Sequence, residues 1–247
     1  MFLFLSVLAM LFLIYCRYVT YQLTEKHFSL TKDPQLKIIA GQKKGLTIAQ
    51  ISDSHFSAFY SPKRFDQIIQ RLNRTQPDIV LFTGDLIENY RYWKIRDTTA
   101  ISQQLAKITA PKGKFAILGN HDYRSDGQAA VSQLLTDGGF VLLNNETTLI
   151  DQLSLTGIDD SQEGQPDYTI QPEPANFSIL LLHEPDQADA LPDLDRFDLI
   201  LAGHSHGGQI RFPLFPYKNF GSKRYDQGIY FLSPQTSLVV NTGLGTT

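Results

Sequence analysis

The chain of 247 residues is poor in several residue types, and each shortage excludes a class of structure. A single cysteine, Cys16, excludes an internal disulfide framework and any metal site built from clustered cysteines. A net charge of −3 gives no basic footprint for nucleic acid, so we expect no nucleic-acid partner. Charged residues make up 19% and hydrophobic residues 42% of the chain, which is typical of a globular protein. Any bound metal must therefore be held by histidine, aspartate, glutamate or asparagine.

Long apolar runs are also scarce, and the chain has its longest at the N-terminus. Residues 2–16 carry no charge and are almost wholly apolar, and Arg17 ends the run. The run lacks the basic start and the small-residue cleavage site of a signal peptide, so we predict an uncleaved membrane anchor over residues 1–22. Lys26 and Lys32 also follow the anchor, which favours placing the rest of the chain on the cytoplasmic face.

The remainder of the chain is predicted to hold a linker and one globular domain of α/β class. Residues 23–45 are expected to form a linker that becomes a strand at 36–40, and residues 46–247 the domain. Strand-like runs at 46–53, 78–85 and 113–122 alternate with helical patterns at 62–75, 98–108 and 126–139. This order predicts a largely parallel sheet with crossover helices. Consecutive strand-like runs at 140–150 and 153–160, with little helix between them, indicate a second, more antiparallel sheet, and further strands follow at 177–185, 197–206 and in a C-terminal hairpin.

Five of the strand-like runs end in polar side chains that can bind a metal. Each group alone is also explained by an ordinary turn, but of the six histidines only His27 lies outside these strand ends. Because ligands bind beyond the carboxyl ends of parallel strands, we expect the groups to converge on one site. The five groups are Asp53 with His55, Asp85, Asn120 with His121 and Asp122, His183, and His204 with His206.

The chemistry of these groups predicts a site for two metal ions. Carboxylate, imidazole and amide oxygen ligands suit Zn²⁺, Fe²⁺ or Fe³⁺ and Mn²⁺, among which the sequence does not choose. Seven such groups are too many for one tetrahedral ion but suit two divalent ions that share a carboxylate. Two ions about 3.5–4 Å apart can clamp a phosphate for in-line displacement. We expect extended backbone at 204–206, in which His204 and His206 would point to the same side and both reach such a site.

These groups, read with their neighbours, resemble the five signature blocks of the calcineurin-like metallophosphoesterases. The resemblance keeps the family's order and covers about residues 46–245. It implies a four-layer α/β/β/α sandwich of two mixed β-sheets flanked by helices, with a dinuclear metal centre between the sheet ends. The blocks are Asp53-Ser-His55, Gly84-Asp85, Gly119-Asn120-His121-Asp122, His183 and Gly203-His204-Ser-His206-Gly207.

The resemblance also implies a role for each residue in phosphoester hydrolysis. The implied ligands are Asp53, His55 and His206 for the first ion, Asn120, His183 and His204 for the second, and Asp85 as the bridge. A metal-bridged hydroxide would attack phosphorus in line. His121 would stabilise the transition state or protonate the leaving oxygen, with Asp122 orienting its imidazole. Members of the family usually continue beyond a GLGT segment, so we expect that the chain, which stops at Thr247, is either a truncated piece or lacks a closing strand.

Two further stretches bear on the substrate. LLLHEPD (180–186) and AGHSHGGQIRFP (202–213) look more like the membrane-associated bacterial branch, which includes relatives that cleave the pyrophosphate of UDP-2,3-diacylglucosamine. With the predicted anchor, this implies a phosphate-containing small-molecule or lipid substrate near a membrane. The aromatic stretches 88–93 and 213–221 either cap such a substrate or pack over the sheet rims. The alternative is a scaffold with the same fold that binds a partner at the membrane and has degenerate metal sites. Such a scaffold would tolerate the loss of ligands, but no ligand position is missing here. The sequence leaves the oligomeric state open.

Overall fold

The structure, a computed structural model, describes residues 2–19, 22–30, 45–58, 60–208, 211–212, 215–216 and 218–245. The chain divides into two compact units, Met1–Ile39 and Ala40–Thr247. The predicted strand at 36–40 lies outside the described residues, as does the part of the predicted linker from 31 to 44.

The first unit contains helix α1 (Phe2–Val19), which forms at the place of the predicted anchor. Phe4, Leu11 and Phe12 are among its exposed apolar side chains. Within the described residues, no helix has both the length and the apolar character needed to cross a membrane. The prediction of a membrane-spanning anchor over residues 1–22 is therefore not supported.

The second unit begins with a four-stranded sheet. Its strands are β1 (Ile48–Ile51), β2 (Ile79–Thr83), β3 (Lys114–Ile117) and β4 (Val141–Leu142). They lie in the order β1-β2-β3-β4, and all of their pairings are parallel. The helices in the connections are α2 (Pro62–Arg74), α3 (Tyr90–Trp93), α4 (Thr99–Ala106), α5 (Asn120–Tyr123) and α6 (Gln128–Asp137). They confirm the predicted alternation, whereas the short helices α3 and α5 were not predicted.

The later strands form a six-stranded mixed sheet and a short ribbon. The six are β5 (Glu146–Ile150), β6 (Leu153–Gly157), β7 (Phe177–Leu181), β8 (Leu199–Ala202), β11 (Gly228–Phe231) and β12 (Ser237–Val240). Their order is β11-β12-β8-β7-β6-β5, in which the four central strands are parallel and the two edge strands antiparallel. The predicted C-terminal hairpin is β11–β12. The ribbon pairs β9 (Arg211–Phe212) with β10 (Phe215–Pro216).

The two sheets pack face to face. Leu81 and Ile117 from the first sheet share one apolar core with Leu155 and Ile179 from the second. The other face of the first sheet packs on α2, α4 and α6, and the other face of the second packs on the 3-10 helix Pro185–Ala190 and on loops. Because both faces are covered, the central strands are continuous apolar runs. The predicted layered sandwich is confirmed, with a 3-10 helix in the outer layer of the second sheet.

Candidate metal centre

The candidate site lies at the carboxyl ends of five parallel strands. Asp53, Asp85 and Asn120 follow β1, β2 and β3 of the four-stranded sheet, and His183 and His204 follow β7 and β8 of the six-stranded sheet. Both sheets contribute, as the resemblance implies. The site therefore lies where the ends of two packed sheets meet.

Left-handed backbone at the strand ends turns the side chains into this site. Asp53, Asp85 and His204 have φ of 52°, 59° and 63°, and His55 and His206 each have φ of 46°. Residues other than glycine adopt this region uncommonly, and such conformations persist where the surrounding structure imposes them. Five of the seven predicted ligands share this feature, which indicates that the loops are built around the position of these side chains.

Two of the neighbouring glycines are required by close packing. A Cβ on Gly84, whose φ is +96°, would lie 2.5 Å from His183 Nδ1 and 2.8 Å from the backbone nitrogen of Gly119. A Cβ on Gly119 would collide with Asp85 Oδ1 and His183. Any side chain at these two positions would push apart the groups that the strand ends bring together.

The first cluster of metal-binding atoms contains Asp53, His55 and His206. His55 Nε2 lies 2.9 Å from His206 Nε2 and 3.8 Å from Asp53 Oδ1, and His206 Nε2 lies 3.6 Å from the same oxygen. All three side chains are buried or nearly so. Two imidazole nitrogens and a carboxylate oxygen therefore point at one position, which is a suitable arrangement for a divalent cation.

The second cluster contains Asp85, His183 and His204. His183 Nε2 lies 3.2 Å from Asp85 Oδ2 and 3.3 Å from His204 Nδ1. The same Asp85 oxygen lies 3.5 Å from His55 Nε2 in the first cluster. Asp85 is thus the carboxylate that both clusters share, in the position that the resemblance implies for a bridging ligand.

Asn120 adds an oxygen that has no other use in the described structure. Its side chain is buried, and Oδ1 accepts no hydrogen bond from any described group. A buried amide oxygen without a partner is costly, so its retention here fits a cation ligand. The donor set therefore fits two divalent ions.

Three of the imidazoles are held so that one nitrogen faces the site. His183 Nδ1 donates to the carbonyl of Thr83 at 2.8 Å, and His204 Nε2 donates to the carbonyl of Phe220 at 2.6 Å. His55 Nδ1 lies 2.8 Å from Glu88 Oε2. Histidine ligands commonly donate their second nitrogen to a carboxylate or carbonyl, which fixes the tautomer and the ring orientation.

The electrostatics of the site call for positive charge. Burial opposes a charge on His55, but the nearby carboxylates of Asp53 and Glu88 outweigh it and raise its pKa to about 10. Burial is outweighed at His183 too, where Asp85 raises the pKa. Despite burial, His183 holds the pKa of Asp85 well below its usual range. A buried carboxylate is stable only when a positive charge lies close to it, and a divalent cation supplies that charge.

His206 differs in charge state from His55 and His183, whose pKa values are raised. Burial lowers the pKa of His206 to about 4, against the opposing effect of Asp53. The ring is therefore neutral near pH 7 and offers a lone pair without first losing a proton, as metal binding requires.

His121 lies beside the two clusters and forms a further group of possible metal-binding atoms with His55 and Asp85, and its ring is not oriented by Asp122. His121 Nδ1 donates to the carbonyl of Glu88 at 2.7 Å, and Arg124 Nη1 lies 2.8 Å from His121 Nε2. The oxygens of Asp122 instead accept backbone N–H bonds from Asp85, Leu86, Ile87 and Gly119. The predicted role of Asp122 is therefore corrected: it fixes the loops that carry Asp85 and Asn120, and a backbone carbonyl orients the imidazole.

Glu88 is the residue that the sequence reasoning missed. Its carboxylate oxygen lies 2.8 Å from His55 Nδ1 and its carbonyl accepts from His121, so Glu88 contacts one residue of the first cluster and the histidine beside it. It lies three residues after Asp85, and its spacing from the Gly84-Asp85 turn was the available signal.

A cleft of about 330 Å³ opens over both clusters. It is lined by Asp85, Asn120, His121, Arg124, Gln162, His204, His206, Asn219 and Phe220. Of the aromatic stretches, Trp93 packs in the core and donates from Nε1 to the carbonyl of Phe56, whereas Phe220 is 69% exposed at the cleft. Residues 213, 214 and 217 lie outside the described residues.

Comparisons with known proteins agree with this geometry. The sequence profile of the family described as "Calcineurin-like phosphoesterase" matches residues 46–208. The chain is 35% identical to an uncharacterized metallophosphoesterase, YkuE, of Bacillus subtilis, over 94% of this chain and 82% of YkuE. It is 29% identical to phosphodiesterase YaeI of Escherichia coli, over 72% of this chain and 68% of YaeI.

A structural neighbour supports the fold. A dimetal phosphatase from Danio rerio aligns with a TM-score of 0.52 at 10% identity, over 81% of this chain and 88% of that one. The fold and the clustered ligands define a metal-dependent phosphoesterase. The chain belongs to the calcineurin-like phosphoesterase family.

Proposed function

We propose that the chain hydrolyses phosphodiesters with two divalent cations held at the two clusters. Asp53, His55 and His206 would hold one ion, and the remaining ligands, Asn120, His183 and His204, would hold the other, with Asp85 shared. The observation that carries the proposal is that Asp85 Oδ2 lies within 3.5 Å of imidazole nitrogens from both clusters. The name of the relative YaeI supports the diester class.

The cations would supply Lewis acidity and neutralise charge at the phosphoryl oxygens. The chain's own contribution begins at His121, whose Nδ1–H stays on the carbonyl of Glu88 and whose Nε2 faces the cleft. Burial lowers the pKa of His121, so the ring is neutral before substrate binds. An anionic phosphoryl group beside it favours uptake of a proton from solvent by Nε2; His121 would deliver that proton to the leaving oxygen and return to the neutral ring. During this step Asp122 holds the loops that carry Asp85 and Asn120 in place through its bonds to backbone N–H groups.

The proposal also covers the extent of the catalytic domain and the organic group that the substrate phosphate carries. Residues 46–247 would form the catalytic domain. A lipid-linked or otherwise membrane-proximal substrate, such as a UDP-diacylglucosamine-like molecule, is supported by the likeness of stretches 180–186 and 202–213 to the membrane-associated bacterial branch. The exposed ring of Phe220 at the cleft gives an apolar surface for such a group.

The test begins with metal-free protein supplied separately with Mn²⁺, Fe²⁺ and Zn²⁺. Hydrolysis of bis(p-nitrophenyl) phosphate is followed, and then that of a panel of phosphomonoesters, soluble diesters and lipid pyrophosphates. We expect metal-dependent diester hydrolysis that Asp85→Asn abolishes. His27→Asn is the matched control, because His27 is the histidine outside the site.

Two results would contradict the proposal. One is full metal content and full hydrolysis in Asp85→Asn. The other is no turnover with any metal or substrate class, which would favour the scaffold reading. Within the panel, a preference for soluble diesters over lipid pyrophosphates would contradict the lipid-linked substrate but would still support phosphodiester hydrolysis.

A further inference from the structure

Arg124 has no role in the site as described so far, although it lines the cleft. It follows the single turn of α5, three residues after His121, so both side chains lie on the same side of the chain. Its side chain is half-buried rather than extended into solvent. This places a guanidinium beside the histidine that faces the substrate.

The contacts of Arg124 leave most of its donors available. Nη1 lies 3.0 Å from His121 Nδ1 and 2.8 Å from Nε2. Nη1 therefore lies against the imidazole ring, at similar distances from its two nitrogens. A guanidinium has five N–H donors, and this contact uses one of them.

The guanidinium of Arg124 also has no direct ion-pair partner. In the part of the chain that the structure describes, no carboxylate oxygen forms a salt bridge with it. Among the described lining residues, Arg124 is the one with a permanent positive charge, and the others are acidic, amide, aromatic or imidazole side chains. The fork of donors on a guanidinium matches the oxygens of a phosphate group that enters the cleft.

We propose that Arg124 is a substrate-binding residue that donates to a non-bridging oxygen of the phosphoryl group during hydrolysis. This rests on the proposed function and adds a protein contact to the metals.

The test compares Arg124→Met and Arg124→Lys in metal-loaded full-length protein, with Arg91→Met as the matched control. Arg91 is an exposed arginine on the nearby helix α3 and does not line the cleft. Binding of inorganic phosphate is measured by calorimetry, together with metal content, melting temperature and diester kcat/KM. Hydrogen bonds to charged groups suggest that Arg124→Met weakens phosphate binding and lowers kcat/KM about 10- to 100-fold.

The expected pattern is specific. Metal content and melting temperature stay at their wild-type values in Arg124→Met, Arg91→Met behaves as wild type, and Arg124→Lys binds phosphate better than Arg124→Met. Unchanged phosphate affinity in Arg124→Met overturns the proposal, as does loss of metal in parallel with phosphate. If Arg124→Lys and Arg124→Met lose phosphate affinity equally, the positive charge of residue 124 does not make the contact and the proposal is overturned.

The design separates this inference from the proposed function. If wild-type protein binds phosphate through Arg124 but hydrolyses no ester, the hydrolytic function fails and the anion contact stands. If wild-type protein hydrolyses diesters and Arg124→Met does so equally well, the function stands and the role of Arg124 fails.

Discussion

Glu88 offers a test of how the first cluster is built. Its carboxylate oxygen lies 2.8 Å from His55 Nδ1, and this contact orients the ring towards Asp53 and His206. Glu88→Gln keeps the size of the side chain and removes its negative charge. The backbone carbonyl that bonds His121 is unaffected by the substitution.

The expected loss follows from what such supports contribute. Replacing a hydrogen-bond partner of a metal-ligating histidine typically lowers metal affinity about 10- to 100-fold. That corresponds to about 1.4–2.8 kcal/mol of binding free energy. We expect this loss at the ion of the Asp53–His55–His206 cluster and a smaller change at the second ion.

The assay is a metal titration of metal-free protein by competition with a chelating indicator, repeated as diester hydrolysis against metal concentration. Glu146→Gln is the control, because Glu146 is an exposed residue on edge strand β5. Glu88→Gln should need more metal for half-maximal rate, with much of the rate recovered in excess metal. Equal affinity of wild-type and Glu88→Gln protein for both ions would refute the reasoning.

Three further predictions concern other parts of the unit. His121→Asn should lower the rate about 10²- to 10⁴-fold for diesters with alcohol leaving groups and much less for p-nitrophenyl esters, whose leaving oxygen needs no proton; equal losses would contradict proton donation. Gly119→Ala places a Cβ against Asp85 Oδ1, so Asp85 must move. A shift of Asp85 by about 1 Å should lower the hydrolysis rate about a hundredfold and lower the metal content measured by elemental analysis. Full retention of both rate and metal content would show that the packing at Gly119 is not strict. Burial, with a nearby carboxylate, raises the pKa of Asp160 to about 8, so its contribution to stability is present at low pH and is lost as pH rises towards 8. Asp160→Asn should therefore be more stable than wild type at pH 9 by at least about 1 kcal/mol in urea unfolding, with little difference at pH 4; no gain at pH 9 would contradict this.

The sequence predicts which side chains meet at the candidate site because the signal is local. Each strand is an apolar run, and each predicted ligand comes within a few residues of the end of a run. Parallel strands carry their carboxyl ends to a common edge, so the convergence of Asp53, Asp85 and Asn120 follows from topology alone. The left-handed backbone at the strand ends was not visible, because aspartate and histidine occur in many conformations.

The parts that the sequence could not predict depend on long-range contacts. Glu88 reaches His55 across 33 positions of chain, and no periodicity marks such a pair. Asp122 was assigned to His121 because they are neighbours in sequence, but its oxygens are consumed by backbone N–H groups of two other segments. Arg124 falls after an unpredicted helical turn, so its placement beside His121 required the fold.

The most direct test of the central claim is the metal content of the purified chain after loading with Mn²⁺ or Zn²⁺ and removal of excess, measured by elemental analysis. The account predicts two ions per chain in wild-type protein, since Asp85 joins two separate clusters. His206→Ala should retain one ion, and so should His204→Ala. A wild-type content of one ion or none, or an unchanged content of two in both variants, would contradict the two-metal centre.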